Sequence, residues 1–145
     1  MANHFHQGLY VVKNPHKYLG DVTKVRYMSS WEYECHTYFD CNDQVIKWGS
    51  ETIAIPYLKP TDGRIHKYFV DYFVQYINKD GEVCTELIEV KPLTQTKLSR
   101  SKNARTKLYE NVVLSINRAK WAAATEYVNQ KGWKFRIVTE KSIFK

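Results

Sequence analysis

The chain is 145 residues long, with 22 Lys and Arg against 15 Asp and Glu for a formal charge of +7, and 43% of its residues are hydrophobic. That is material for one domain, or one domain with a short arm; it excludes a disordered tail, and no window approaches the ~18 consecutive apolar residues of a membrane-spanning helix. The basic excess favours a polyanionic partner, nucleic acid ahead of an anionic membrane surface, although a soluble protein that is merely basic has the same arithmetic.

The opening residues 1–7 lack the charged and apolar regions of a signal peptide, so a cytosolic protein is expected. Three scattered cysteines, Cys35, Cys41 and Cys84, and five dispersed histidines make a disulfide framework and structural zinc both poor expectations. Aromatics reach 14%, which suits either a dense small core or stacking surfaces for bases.

Residues 1–28 have weak periodicity and turn signals at Asn14-Pro15 and Gly20-Asp21, and are expected to form an arm packed on a domain spanning 29–145. Ser29-Ser30-Trp31-Glu32 opens a helical pattern with Trp31, Cys35, Tyr38 and Phe39 on one stripe, ending at Asn42-Asp43. Residues 45–48 and 51–57 read as strand material broken at Gly49, and Pro60-Thr61-Asp62-Gly63 as a turn. Two strand-like runs follow, 67–77 and 82–91, joined by Asn78-Lys79-Asp80-Gly81 as a hairpin. After a polar, basic loop comes a long amphipathic helix over about 106–130, with Leu108, Val112, Ile116, Ala119, Ala123 and Tyr127 as its apolar positions and Gly132 as its cap. A final strand covers 134–139. The order is αβββαβ, an α/β domain around a mixed sheet.

The hairpin carries the chemistry. Asp71 is a carboxylate among aromatics in a run otherwise built for burial, and Glu89 and Lys91 project from one face of the second strand. A two-residue loop would set Asp71 opposite Val90, whereas a three-residue Lys79-Asp80-Gly81 loop would set it opposite Glu89. The second is favoured, as a type I turn followed by Gly81 in the left-handed conformation. Carboxylates placed directly opposite repel, which makes sense if a cation sits between them. Two hard oxygen ligands suit Mg²⁺, with Mn²⁺ able to substitute, and a nearby ammonium can stabilise charge developing on a phosphate. The structural alternative is an exposed Glu89–Lys91 pair of the kind common on sheet surfaces.

Glu32 has a plain structural role in view, since Ser29-x-x-Glu32 fits a capping box. The stretch from Val90 to Tyr109 holds Lys91, Lys97, Arg100, Lys102, Arg105 and Lys107 and no acid. A basic segment that leads into a helix N-terminus suits a DNA phosphate backbone, and equally a solvated loop. His66 could touch DNA as well, though a lone His is more often structural.

Glu32 on an early helix, then Asp71, then Glu89-Val90-Lys91, resembles the PD-(D/E)xK nuclease superfamily. Within it the chain is similar to the head completion nucleases of T-even-type tailed phages. The segments that carry this are Gly8-Leu9-Tyr10, Asn14-Pro15-x-Lys17-Tyr18-x-Gly20-Asp21, Ser29-Ser30-Trp31-Glu32, Lys47-Trp48-Gly49-Ser50-Glu51, Ile55-Pro56-Tyr57 and Ile88-Glu89-Val90-Lys91-Pro92. A more distant likeness is to the endonuclease subunit of heteromeric transposases. The resemblance implies a restriction-endonuclease-like core with helices flanking the mixed sheet. It implies Asp71 and Glu89 as metal ligands, Lys91 as the catalytic lysine and Glu32 as an active-site carboxylate. Position 70 is Val where the superfamily's name has Pro. The implied activity is Mg²⁺-dependent cleavage of DNA ends or branches during head completion, before tail attachment. It would take place in the host cytoplasm and the virion, with portal or neck proteins as further partners and no membrane. The rival expectations are a non-catalytic portal or neck component on a nuclease scaffold, and a general basic DNA-binding module.

Overall fold

The computed structural model describes residues 7–139; the outer ends of the expected arm and domain, 1–6 and 140–145, lie outside the described residues. After β1 (Gly8–Leu9) the chain makes two short 3-10 turns, Pro15–Lys17 and Val22–Lys24, and returns in β2 (Arg26–Tyr27), antiparallel to β1. This irregular stretch places Tyr10, Val12, Tyr18 and Val25 in the core.

Helix α1 (Ser30–Cys41) begins where the Ser29 hydroxyl accepts the Glu32 amide, at 3.1 Å, and ends at Asn42. Its buried residues are Cys35, His36, Phe39 and Asp40, whereas Tyr38, expected on the buried stripe, is 42% exposed. The burial of two polar residues displaced it, because each has its partners. The Asp40 carboxylate accepts the Tyr10 hydroxyl and the Lys13 and Asn14 amides at 2.8–3.1 Å, so it fastens the N-terminal stretch to α1.

Strand β3 (Val45–Ser50) runs through Gly49 instead of breaking there. A Cβ at that position would sit 2.9 Å from the Leu19 carbonyl oxygen and 2.4 Å from Thr52 Oγ1, so the glycine serves a close approach. Strands β4 (Ala54–Lys59) and β5 (Arg64–Phe69) form a separate two-stranded hairpin around the expected turn at 60–63. The expected single strand over 67–77 is therefore two strands, β5 and β6 (Tyr72–Ile77), which belong to different sheets. At the break, the Val70 amide bonds to the Ile53 carbonyl and the Asp71 carbonyl accepts the Glu51 amide. Alternation of apolar residues continues across such a change of partner and does not reveal it. As a consequence Tyr68 and Val70 pack with Phe73, not on the face of Tyr72 and Val74 as the unbroken alternation implied.

Strand β7 (Val83–Val90) pairs antiparallel with β6, and β8 (Lys134–Val138) lies parallel to β7. Between them runs α2 (Ala104–Lys131), capped by Asn103, whose side-chain oxygen accepts the Arg105 and Thr106 amides, and ended by Gly132 at φ 72°. Its buried line is Leu114, Asn117, Ala124 and Val128; the expected apolar positions Leu108 and Val112 are 68% and 38% exposed. The first two turns, 104–110, are solvent-exposed all round, so the apolar pattern there has no sheet to meet.

The main sheet has the order β3-β6-β7-β8. One face carries a core of Cys35, Phe39, Trp48, Tyr72, Val74 and Ile88 beneath α1, and the other a core of Phe73, Leu87, Ala124 and Val128 beneath α2. Taken without the β4–β5 insertion, the elements run α1-β3-β6-β7-α2-β8. This is the αβββαβ order, a mixed α/β sheet between helices compatible with a restriction-endonuclease-like fold.

Candidate active site

The loop between β6 and β7 settles the position of Asp71. The Asn78 amide bonds to the Glu82 carbonyl at 2.9 Å, and Gly81, at φ 79°, returns its amide to Asn78. This is the three-residue Lys79-Asp80-Gly81 loop. Its register pairs Ile77 with Val83 and Tyr72 with Ile88, where the ladder ends; Asp71 and Glu89 are the next residue on either side, and their charges act on each other.

Glu89 is buried and Asp71 half-buried at the cleft wall. Glu89 is 4% exposed; its Oε1 accepts the Tyr68 hydroxyl at 2.6 Å and its Oε2 lies 3.5 Å from Lys91 Nζ. The Asp71 carboxylate accepts the Val90 amide at 2.8 Å. Burial, then the charge of Glu89, pushes the Asp71 carboxyl up to about 7, against the opposing pull of the Val90 amide and Lys91.

Asp71 and Lys91 open onto a cleft of about 290 Å³ that is also lined by Glu32, Glu51, Trp31 and Tyr72. Glu32 comes from the first turn of α1. Its carboxylate accepts the Met28 amide, and burial followed by the charge of Glu51 raises its pKa. The cap is thus made by the Glu32 backbone amide on the Ser29 hydroxyl, while its side chain reaches Met28, not the Ser29 amide of a capping box, and lines the cleft. Helix α1 is fixed to β6 by Tyr72, whose hydroxyl lies 2.7 Å from His36 Nδ1 and 3.3 Å from the Glu32 carbonyl. The second His36 nitrogen meets the Arg26 carbonyl at 2.8 Å; a carbonyl only accepts, so Nε2 carries the proton. Burial lowers the His36 pKa and favours this neutral form.

Two residues at the site escaped the sequence pattern. Glu51 follows β3 with φ 55°, a left-handed conformation that is uncommon for any residue but glycine. Its signal was its place at the end of the Lys47–Glu51 segment. Lys120, on α2, stands beside Tyr68, and nothing in the spacing of a helical lysine announced it. The remaining expected residues lie elsewhere. Lys97, Arg100, Lys102, Arg105 and Lys107 are all exposed and none lines the cleft. Their loop is tied to α2 through Ser99, which bonds to Asn111 and Glu110. His66 pairs with Asp62 at 2.8 Å within the β4–β5 hairpin.

Among the described residues no three His, Cys, Asp or Glu side chains form a ready-made metal cage. Two converging carboxylates are nevertheless what Mg²⁺ takes from a protein, the rest of its shell being water and phosphate. The mutual repulsion of Asp71 and Glu89, which Lys91 and the Val90 amide offset only in part, fits such an ion.

Residues 42–140 match the family described as TnsA-like endonuclease, N-terminal, and the chain belongs to that family. It therefore carries an endonuclease domain, and the matched span holds Asp71, Glu89 and Lys91 while Glu32 precedes it. The chain is also 36% identical, over 144 residues, to the head completion nuclease of Enterobacteria phage T4, a similarity that covers 95% of this chain and 93% of that protein.

Proposed function

We propose that the protein is a Mg²⁺-dependent DNA endonuclease of a phage, acting on DNA ends or branches while heads are completed and before tails attach. The observation that supports it best is the mutually repelling pair of half-buried Asp71 and buried Glu89 with Lys91 beside it. In this reading Asp71 and Glu89 hold the ion, which when bound polarises the scissile phosphate as a Lewis acid. Lys91 places its ammonium against the negative charge that develops on the phosphoryl oxygens. Glu32, across the cleft and raised in pKa, orients the attacking water and receives its proton at the carboxylate. Residues 97–107 supply exposed cations for the flanking backbone. The arm, 1–28, and the nuclease domain, 29–145, work as one unit in the host cytoplasm and the assembled head, where portal or neck proteins are the further partners. No described helix is long and apolar enough to cross a membrane.

The test is incubation with linear, circular, single-stranded and branched DNA in Mg²⁺, Mn²⁺ or EDTA. Cleavage with either ion, none in EDTA, and loss of cleavage but not of DNA binding in Lys91→Ala is the expected result. DNA binding without cleavage under every condition would instead indicate a non-catalytic head component on a nuclease scaffold.

A further inference from the structure

Lys120 is a cation with no ion-pair partner among the described residues. Its Nζ lies 5.6 Å from the ring centre of Tyr68 and 5.8 Å from that of Tyr57, and it makes no ion pair or hydrogen bond among the described residues. Two ring faces hold an ammonium in place without neutralising it. Tyr68 is the residue whose hydroxyl bonds to Glu89, so Lys120 is stationed one side chain from the carboxylate pair. Burial and then repulsion from Lys91 lower its pKa; Lys59, at the end of β4, acts in the same sense, and Glu89 and Asp71 oppose them. Lys120 therefore stands near two other lysines, Lys91 after β7 and Lys59, which shares the face of β4 with the Tyr57 ring that Lys120 covers, and among the described residues only Lys91 of the three has a carboxylate within salt-bridge distance. Such an arrangement attracts an arriving anion.

We propose that Lys120 and Lys59 are substrate-contacting residues of this site, gripping the DNA phosphates next to the scissile one so that the strand enters across the β4–β5 hairpin and α2. This rests on the nuclease reading and adds a path to it, distinct from the exposed 97–107 segment. A lysine is suited to the task as a compact point charge for phosphate. The rival explanation is that the lysine stem only covers the two tyrosines.

Lys120→Met keeps the stem and removes the charge, whereas Lys120→Arg keeps both. Binding of a fluorescent DNA duplex, measured in EDTA from low to moderate salt, should give a log K against log salt slope about 0.9 shallower in Lys120→Met, the loss of one phosphate contact. Lys120→Arg should restore it. In Mg²⁺, Lys120→Met should raise KM severalfold and leave kcat within about twofold, since the contact is made before and during the chemical step alike. Lys59→Met, at an accessible strand end, should shift the slope in the same direction and guards against a folding defect in the α2 variant.

Wild-type slope and KM in both methionine variants would overturn the path. So would a Lys120→Met that loses kcat with unchanged binding, because its role would then lie in the chemistry. If the wild-type protein itself neither binds nor cuts DNA, the nuclease reading fails, and this inference fails with it; a wild-type enzyme that cuts while both variants match it refutes the inference alone.

Discussion

Asp40 is fully buried and Asp71 half-buried, and the two aspartates differ above all in what surrounds the carboxylate. Asp40 accepts one hydroxyl and two amides, all at ordinary hydrogen-bond distances, and its surroundings hold the irregular N-terminal stretch against α1. Asp71 accepts one amide and is repelled by the buried Glu89 carboxylate. The first is a finished structural joint. The second is an electrostatic deficit, retained where a cleft opens. Burial alone therefore does not separate structural from chemical carboxylates; the count of donors does.

The largest effect expected from this contrast is at Asp40. Asp40→Asn turns one acceptor oxygen into a donor that points at other donors, which should cost about 3 kcal/mol in urea denaturation. Cleavage per folded molecule should be unchanged. A variant as stable as wild type would show that the three donors are not what anchors the N-terminal stretch.

Glu32 tests the middle case, a carboxylate with both a contact to the Met28 amide and a place in the cleft. Glu32→Gln retains an oxygen for the Met28 amide, so stability should change by well under the ~1 kcal/mol of a lost cap. Turnover should fall by about 10²-fold, with DNA affinity maintained, because the amide cannot take a proton from water. Wild-type turnover together with wild-type melting would leave Glu32 with a structural role only.

Asp71→Asn should act on stability in the opposite direction to Asp40→Asn, and by less. The folded Asp71 titrates near 7, well above an unfolded aspartate at about 3.9. Its contribution is thus fully present below about pH 4 and is lost as pH rises through about 7. In EDTA the wild-type protein should lose melting temperature across that window. Asn at 71 removes the loss and still offers an oxygen to the Val90 amide, so the variant should melt a few degrees higher at pH 8. Calorimetry at several pH values reads this; a variant that melts lower at pH 8 would mean the pair is not repulsive.

Legibility in the sequence followed the range of the interaction. The Asn78–Glu82 loop was readable because its geometry is set by Gly81 and its immediate neighbours, and that loop set the β6–β7 register that brings Asp71 near Glu89. The caps at Ser29 and Gly132 were readable for the same reason. The Ser29 cap on the Glu32 amide was visible in their spacing, but the approach of Glu32 to Asp71 depended on α1 being pinned to β6 through His36 and Tyr72, partners 36 residues apart.

What the sequence determined by itself was the αβββαβ order, the turn that sets the register of β6 on β7, and the face that carries Glu89 and Lys91, since each is governed by dihedral preference or by side-chain periodicity over a few residues. Tertiary structure alone decided that the run 67–77 changes sheets at Val70-Asp71, that Leu108 and Val112 have no sheet beneath them, that Asp40 is saturated while Asp71 is not, and that Lys120 comes to rest over Tyr57 and Tyr68 near Glu89. These outcomes depend on which distant backbone or ring occupies the neighbouring space, and a pattern of period 2 or 3.6 holds no information about that.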